Sequence, residues 1–150
     1  MCLRVMKNEV KWNKGGWLWA YKVYKNYEYQ AGGAYLYPIH YNDAVEVTKA
    51  GFYHSDRKSK EISSQEQING VNKGIHVWLD KNEAENQVKA GYSRVVLKVK
   101  IFKRDFVASG CQYNSYDWSL SRVLNQAVLM KIQFSKSDIK KYKIPLKRKK

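Results

Sequence analysis

The sequence predicts a single α+β domain, with a twisted, mainly antiparallel (split) sheet and two or three short helices. Three observations predict it. The stretch from Gly74 to Val107 changes hydrophobic period twice. Two other stretches, Trp17–Tyr24 and Ala127–Phe134, read as strands. Short polar or glycine-bearing segments separate these runs.

The Gly74–Val107 unit carries most of the argument. Ile75, Val77 and Leu79 alternate with His76 and Trp78, which is the period of a strand. Asp80 followed by Glu83 has capping-box spacing, so a helix should begin there. Its few apolar positions, Ala84, Val88 and Ala90, predict a short, mostly wet helix that ends at Gly91. From Arg94 the period returns to two. Val95, Leu97, Val99 and Ile101 share one face, and Arg94, Lys98 and Lys100 the other. The first set should be buried and the cations should face solvent, because burying three unpaired cations is very costly.

The remaining elements follow in chain order. Leu3 and Val5 suit a short strand. In 17–24, Trp17, Trp19, Tyr21 and Val23 share one face, and Leu18, Ala20, Lys22 and Tyr24 the other. Both faces are largely apolar, as expected of a central strand or one under another layer. Residues 25–34 read as a connection, and 35–40 as a short extended piece that Pro38 keeps out of the sheet centre. Residues 43–48 suit a helical turn or a strand, and Gly51–His54 follows. The polar run 55–73 reads as a long loop with a short helix near Ser64–Ile68. Beyond the central unit, 108–115 reads as a loop and 117–126 as a helix. Then come a strand over 127–134 and a short capped helix, Ser135 to Tyr142, that Pro145 stops. The domain spans 1–146, with a basic tail at 147–150.

Composition sets the partner class. Lys and Arg number 28 against 13 Asp and Glu, a net charge of +15, which implies a polyanionic partner. Twelve Tyr and five Trp are many for 150 residues, and those left at the surface would mark a binding face. The two Cys, at 2 and 111, are too few for a disulfide scaffold and lack metal-ligand spacing. No run suits a signal peptide or a membrane span, so the expectation is a soluble, cytoplasmic protein with no membrane contact. His40, His54 and His76 lie in three separate extended pieces. The sequence has no P-loop, dinucleotide fingerprint or nucleophile elbow. The chemistry that remains is cations interleaved with aromatics. Arg94, Lys98 and Lys100 with His76 and Trp78, and Arg57 and Lys58 in the polar loop, are the candidate nucleotide or nucleic-acid ligands.

Two resemblances add to this reading. The pieces G-I-H-V-W-L, N-E-A, V-V-L-K-V-K-I, R-D-F-V and A-V-L-M-K-I-Q-F-S-K-S-D-I resemble, in order, the split sheet of ADP-ribosyltransferase-like domains. That family carries a catalytic Glu at the head of the late strand, where this chain has Ala127 preceded by Asn125 and Gln126. Neither amide can serve as a carboxylate. The resemblance thus implies the fold. It implies NAD as cofactor only if Glu61, Glu66 or Asp117 stands in. The Met-Cys start, the W-x-A-Y-K-V strand and the G-I-H-V-W strand resemble small, mostly uncharacterised phage-encoded proteins. That likeness implies a cofactor-free accessory protein in the host cytoplasm. It would act against a host defence component by binding nucleic acid or a phosphorylated nucleotide. The alternatives are a divergent NAD-dependent ADP-ribosyltransferase and an inhibitor that docks on an acidic host protein.

Overall fold

In the computed structural model, residues 3–5, 10–29, 33–38, 45–89, 93–112 and 126–147 are described. The longest strand is β2 (Trp17–Tyr29), and the sheet is built outward from it. Its neighbour β6 (Arg94–Phe102) runs antiparallel along it from Trp17↔Phe102 to Lys25↔Arg94. Beyond β6 lie β9 (Lys131–Phe134) and then β4 (Phe52–His54). On the other side of β2 stand β5 (Ile75–Trp78), β8 (Gln126–Leu129), β7 (Phe106–Gln112) and β1 (Leu3–Val5). A further strand, β3 (Gly33–Pro38), pairs only with β2, off the main path. All pairs of named strands are antiparallel, so an α+β domain with one antiparallel sheet is what the chain forms.

Among the described residues, three short α-helices accompany the sheet. α1 (Ser64–Asn69) opens on a full capping box, in which the Ser63 hydroxyl accepts from the Glu66 N–H and the Glu66 carboxylate from the Ser63 N–H. α2 (Lys81–Lys89) starts at Asp80, whose carboxylate accepts from the Asn82 N–H at 2.7 Å. α3 (Lys136–Lys141) starts at Ser135, which accepts from the Asp138 N–H. No helix among the described residues is long and apolar enough to cross a membrane.

The main core lies on one face of the sheet. Ala20 and Tyr24 of β2, Leu97, Val99 and Ile101 of β6, Ile75 and Val77 of β5, and Ile132 and Phe134 of β9 meet there. Val45, Val47 and Ile144 complete it, with Ile139 and Tyr142 of the α3 region packed against it. The period of two in β6 buries Leu97, Val99 and Ile101 and exposes Lys98 as expected, while Val95, expected buried near the strand end, and Lys100, expected to face solvent but lying against the Trp17 ring, are half-buried. A smaller cluster of Leu3, Val71, Val107, Ala108 and Val128 closes the β1–β7–β8 side, with Ile62 of the polar loop packed on it.

Several expected boundaries shift. Residues 25–29 continue β2 instead of forming a connection, because β3 supplies a hairpin partner in the register Tyr24↔Pro38 to Tyr29↔Gly33. Residues 108–112, expected as a loop, lie in β7. Val107 to Gly110 are small and buried between β1 and β8, and a register shift between Phe106 and Ala108 hides the strand period. The single strand expected over 127–134 is two. At Met130 the N–H donates to Asp105 O and the carbonyl accepts from the Ser55 N–H. The chain thereby passes from the β5/β7 neighbourhood to that of β6 and β4. Residues 45–48 form neither a helical turn nor a named strand, but a single parallel bridge, Val47↔Leu146. Lys147 N–H also bonds Val47 O, so the fold holds the chain one residue into the expected tail. Of the helix expected over 117–126, residues 117–125 lie outside the described residues, as do His40 and Gly91, while Gln126 opens strand β8 instead of closing a helix.

Candidate nucleic-acid interface

The face of the sheet opposite the main core is covered over β1, β7 and β8, and by α2 where Val23 of β2 faces Val96 of β6, and is open over the remainder. Residues directly opposite in antiparallel strands share a face. Trp19 faces Lys100, Lys100 faces Gln133, and Gln133 faces Phe52, so one row crosses β2, β6, β9 and β4. Trp17 and Phe102 form the row above, and Tyr21 and Lys98 the row below. His54 and Lys131 face each other at the β4 edge. None of these side chains is acidic. Trp19 is 43% exposed, unusually so for a tryptophan.

The lysines lean across the ladder in a regular way. Lys100 Nζ lies 4.4 Å from the ring centroid of Trp17, its diagonal neighbour, and Lys98 Nζ lies 4.7 Å from that of Trp19. Lys131 Nζ lies 4.6 Å from the Phe52 centroid, and the Arg104 guanidinium 4.8 Å from that of Phe102. Trp17 and Trp19 meet edge to face, with centroids 5.6 Å apart and planes at 82°. Each exposed cation–π contact is worth about 0.5–1 kcal/mol. A stacked base is worth about 1–3 kcal/mol, so an incoming base can displace a lysine and leave its ammonium for a phosphate.

The electrostatics agree with a cationic face. His54 has its pKa lowered from the ordinary histidine value, first by desolvation and then by the nearby Lys131 and Lys147, against an opposing pull from Asp105. Arg104 Nε stands 3.7 Å from Asp105 Oδ2, beside the patch. On the core face of β2, burial pushes the half-buried Lys22 amine down to about 8.

The expected site residues divide between this face and internal duties. Lys98 and Lys100 stand in the open ladder. Trp78, half-buried, faces Tyr21 and borders the ladder. Arg94, expected to face solvent, is half-buried and donates from Nη1 to Gln87 O at 2.9 Å, capping the last turn of α2. His76 has Nε2 3.0 Å from Val71 O and Nδ1 3.3 Å from Gly74 O, so it sits against the polar loop; burial pushes its pKa down to about 4. Lys58 is exposed on that loop.

Arg57 lies inside. Its Nε donates to Ser59 O, Nη1 to Glu66 Oε2 and Lys73 O, and Nη2 to Glu61 O and Glu66 Oε1. Every guanidinium N–H thus has an acceptor, and the side chain organises residues 55–73. The run expected as a loop is in fact wrapped around a buried cation. Arg57 in turn holds Glu66 at about 2, well below its usual 4.5. Glu66, expected as one candidate stand-in for the missing carboxylate, therefore has both carboxylate oxygens engaged. Ala127 is buried in the main core.

Phe52, Phe102, Arg104, Lys131 and Gln133 were missed at the sequence level. They are remote from Trp17 and Lys98 in the chain, and only pairing of β6 with β9 and of β9 with β4 unites them. The one available signal was Lys131 and Gln133 alternating with Ile132 and Phe134. Among the described residues, no group of three His, Cys, Asp or Glu could hold a metal. Compared with known protein families, curated proteins and solved structures, the chain matches none.

Proposed function

We propose that this protein binds nucleic acid through the open β2–β6–β9–β4 face, without catalysis. The observation that supports it is the ladder of Trp17, Trp19, Phe102 and Phe52, each with a cation over its ring, with no acidic side chain among the paired strand positions and Asp105 beside Arg104 at the border. Cations neutralise phosphates and aromatics stack bases. Four strands at about 4.8 Å spacing span about 14 Å, room for more than one nucleotide. A polymer therefore fits this face better than a single phosphorylated nucleotide. In the setting that the phage resemblance implies, the bound nucleic acid would belong to the host or to its defence machinery.

The test is direct titration of DNA, RNA, heparin and mononucleotides across a range of salt. With Lys98, Lys100, Lys131 and Arg104 as the phosphate contacts, log K should fall against log[salt] with a slope of about −3 for a single strand and about −3.5 for a duplex. Absence of binding to every polyanion at low salt would overturn the proposal.

A further inference from the structure

The ring geometry on this face points to single-stranded nucleic acid with splayed bases as the ligand. This inference rests on the binding reading above and narrows it. Trp17 and Trp19 stand with their planes at 82° and their centroids 5.6 Å apart. Neighbouring bases in a duplex are parallel and about 3.4 Å apart along each strand. Bases that keep that stack cannot lie flat on both rings. Two successive bases can do so only if they are unstacked and turned away from each other, which a single strand allows and a duplex forbids.

The cations fit the same ligand. Lys98 and Lys100 occupy the ring faces in the free protein, one lysine per tryptophan, each leaning from the diagonal position on β6. A base arriving at each ring displaces that lysine towards the sugar-phosphate chain on either side of it. The ladder thus offers a repeat of one stacking ring and one phosphate partner per nucleotide. Duplex recognition would call for an element that enters a groove. Of the three helices described, α1 and α3 are six residues long. α2 carries Lys81 and Lys89 against Glu83 and Glu85, with no net charge to draw it to phosphates.

Fluorescence anisotropy with labelled ligands tests this. An oligothymidylate, a hairpin duplex of matched charge and heparin are titrated at one low salt concentration against the wild type, Trp19→Ala and Trp19→Phe. The single strand should bind tightest. Trp19→Ala should weaken single-strand binding roughly five- to hundred-fold, the factor that loss of one stacked base implies. It should leave heparin binding unchanged, because heparin has no bases, and Trp19→Phe should restore most of the loss. Trp19 is the most exposed ring of the ladder, and an unchanged melting temperature confirms that the variant is folded. Equal affinity for single strand, duplex and heparin, with no effect of Trp19→Ala, would overturn the single-strand inference while leaving polyanion binding standing. No binding to any of the three would overturn both.

Discussion

At the scale of single residues, Arg57 and His76 show how a polar segment is held without a large core of its own. The Arg57–Glu66 contact is 2.7 Å, and the Arg57 side chain is only 6% exposed against 23% for Glu66. Hydrogen bonds to charged groups contribute about 1.5–3 kcal/mol each. Because Glu66 can rehydrate when its partner is removed, Arg57→Met should cost towards the lower end of the roughly 3–5 kcal/mol expected for breaking a fully buried pair. A shift in the urea midpoint measures it, with faster proteolysis inside 55–73 as the local signature. The same residues set the response to acid. His76 has its folded pKa at about 4, below its ordinary 6.5, so the unfolded chain takes up the proton first and stability falls as pH drops from about 6.5 to 4. Glu66 is lowered from 4.5 to about 2, so its contribution is intact above 4.5 and is lost between 4.5 and 2. Thermal unfolding followed from pH 7 to pH 2 should therefore lose stability in two successive windows. His76→Gln should remove the first and Glu66→Gln the second.

At the scale of elements, β6 is the strand on which the two roles of the sheet separate. Leu97 is buried on its core face, and Leu97→Ala should cost about 2–5 kcal/mol through the cavity left behind. On its other face, Lys98→Ser with Lys100→Ser should change stability by no more than about 0.5 kcal/mol beyond the small cation–π terms. Arg94→Ser should be costlier than either, because it uncaps α2; the denaturant midpoints of the three single variants give the order. The ends of the strip depend on β4, and β4 depends on Gly51. Its φ is 89°, and a Cβ there would stand 2.7 Å from Phe134 O. Gly51→Ala should destabilise by about 1–3 kcal/mol and displace Phe52 from Phe102. These elements also show what the sequence could tell. The faces of β6 and the caps of α1, α2 and α3 were legible, since period and capping are local properties of the chain. The Met130 break and β7 were not, since both depend on partners, Asp105 and Ser55 for the first, and β1 and β8 for the second. For the candidate site, Trp17, Trp19, Lys98 and Lys100 could be read from alternation. Arg57 was misplaced because a guanidinium in a polar run looks the same whether five acceptors fold around it or water does.

At the scale of the whole molecule, one sheet carries two unlike faces. One holds the main core beneath residues 45–47 and the α3 region. The other is closed over β1, β7 and β8 by the segment that Arg57 organises, covered by α2 where Val23 of β2 faces Val96 of β6, and open over β9, β4 and the Trp17–Tyr21 and Lys98–Phe102 stretches of β2 and β6. Of the 28 Lys and Arg, four stand over four aromatic rings on the open part of this face. Such a face gains affinity by releasing counterions, and each phosphate contact contributes about −0.7 to the salt slope for a single strand. The central claim is that this face, and not the basic chain end or the charge at large, holds the ligand. The salt dependence of oligonucleotide binding by the Lys98→Ser, Lys100→Ser double variant tests it most directly. The account predicts weaker binding at every salt concentration and a slope shallower by about 1.4, with the unfolding midpoint lowered only by the small cation–π terms. Affinity and slope equal to those of the wild type would contradict it.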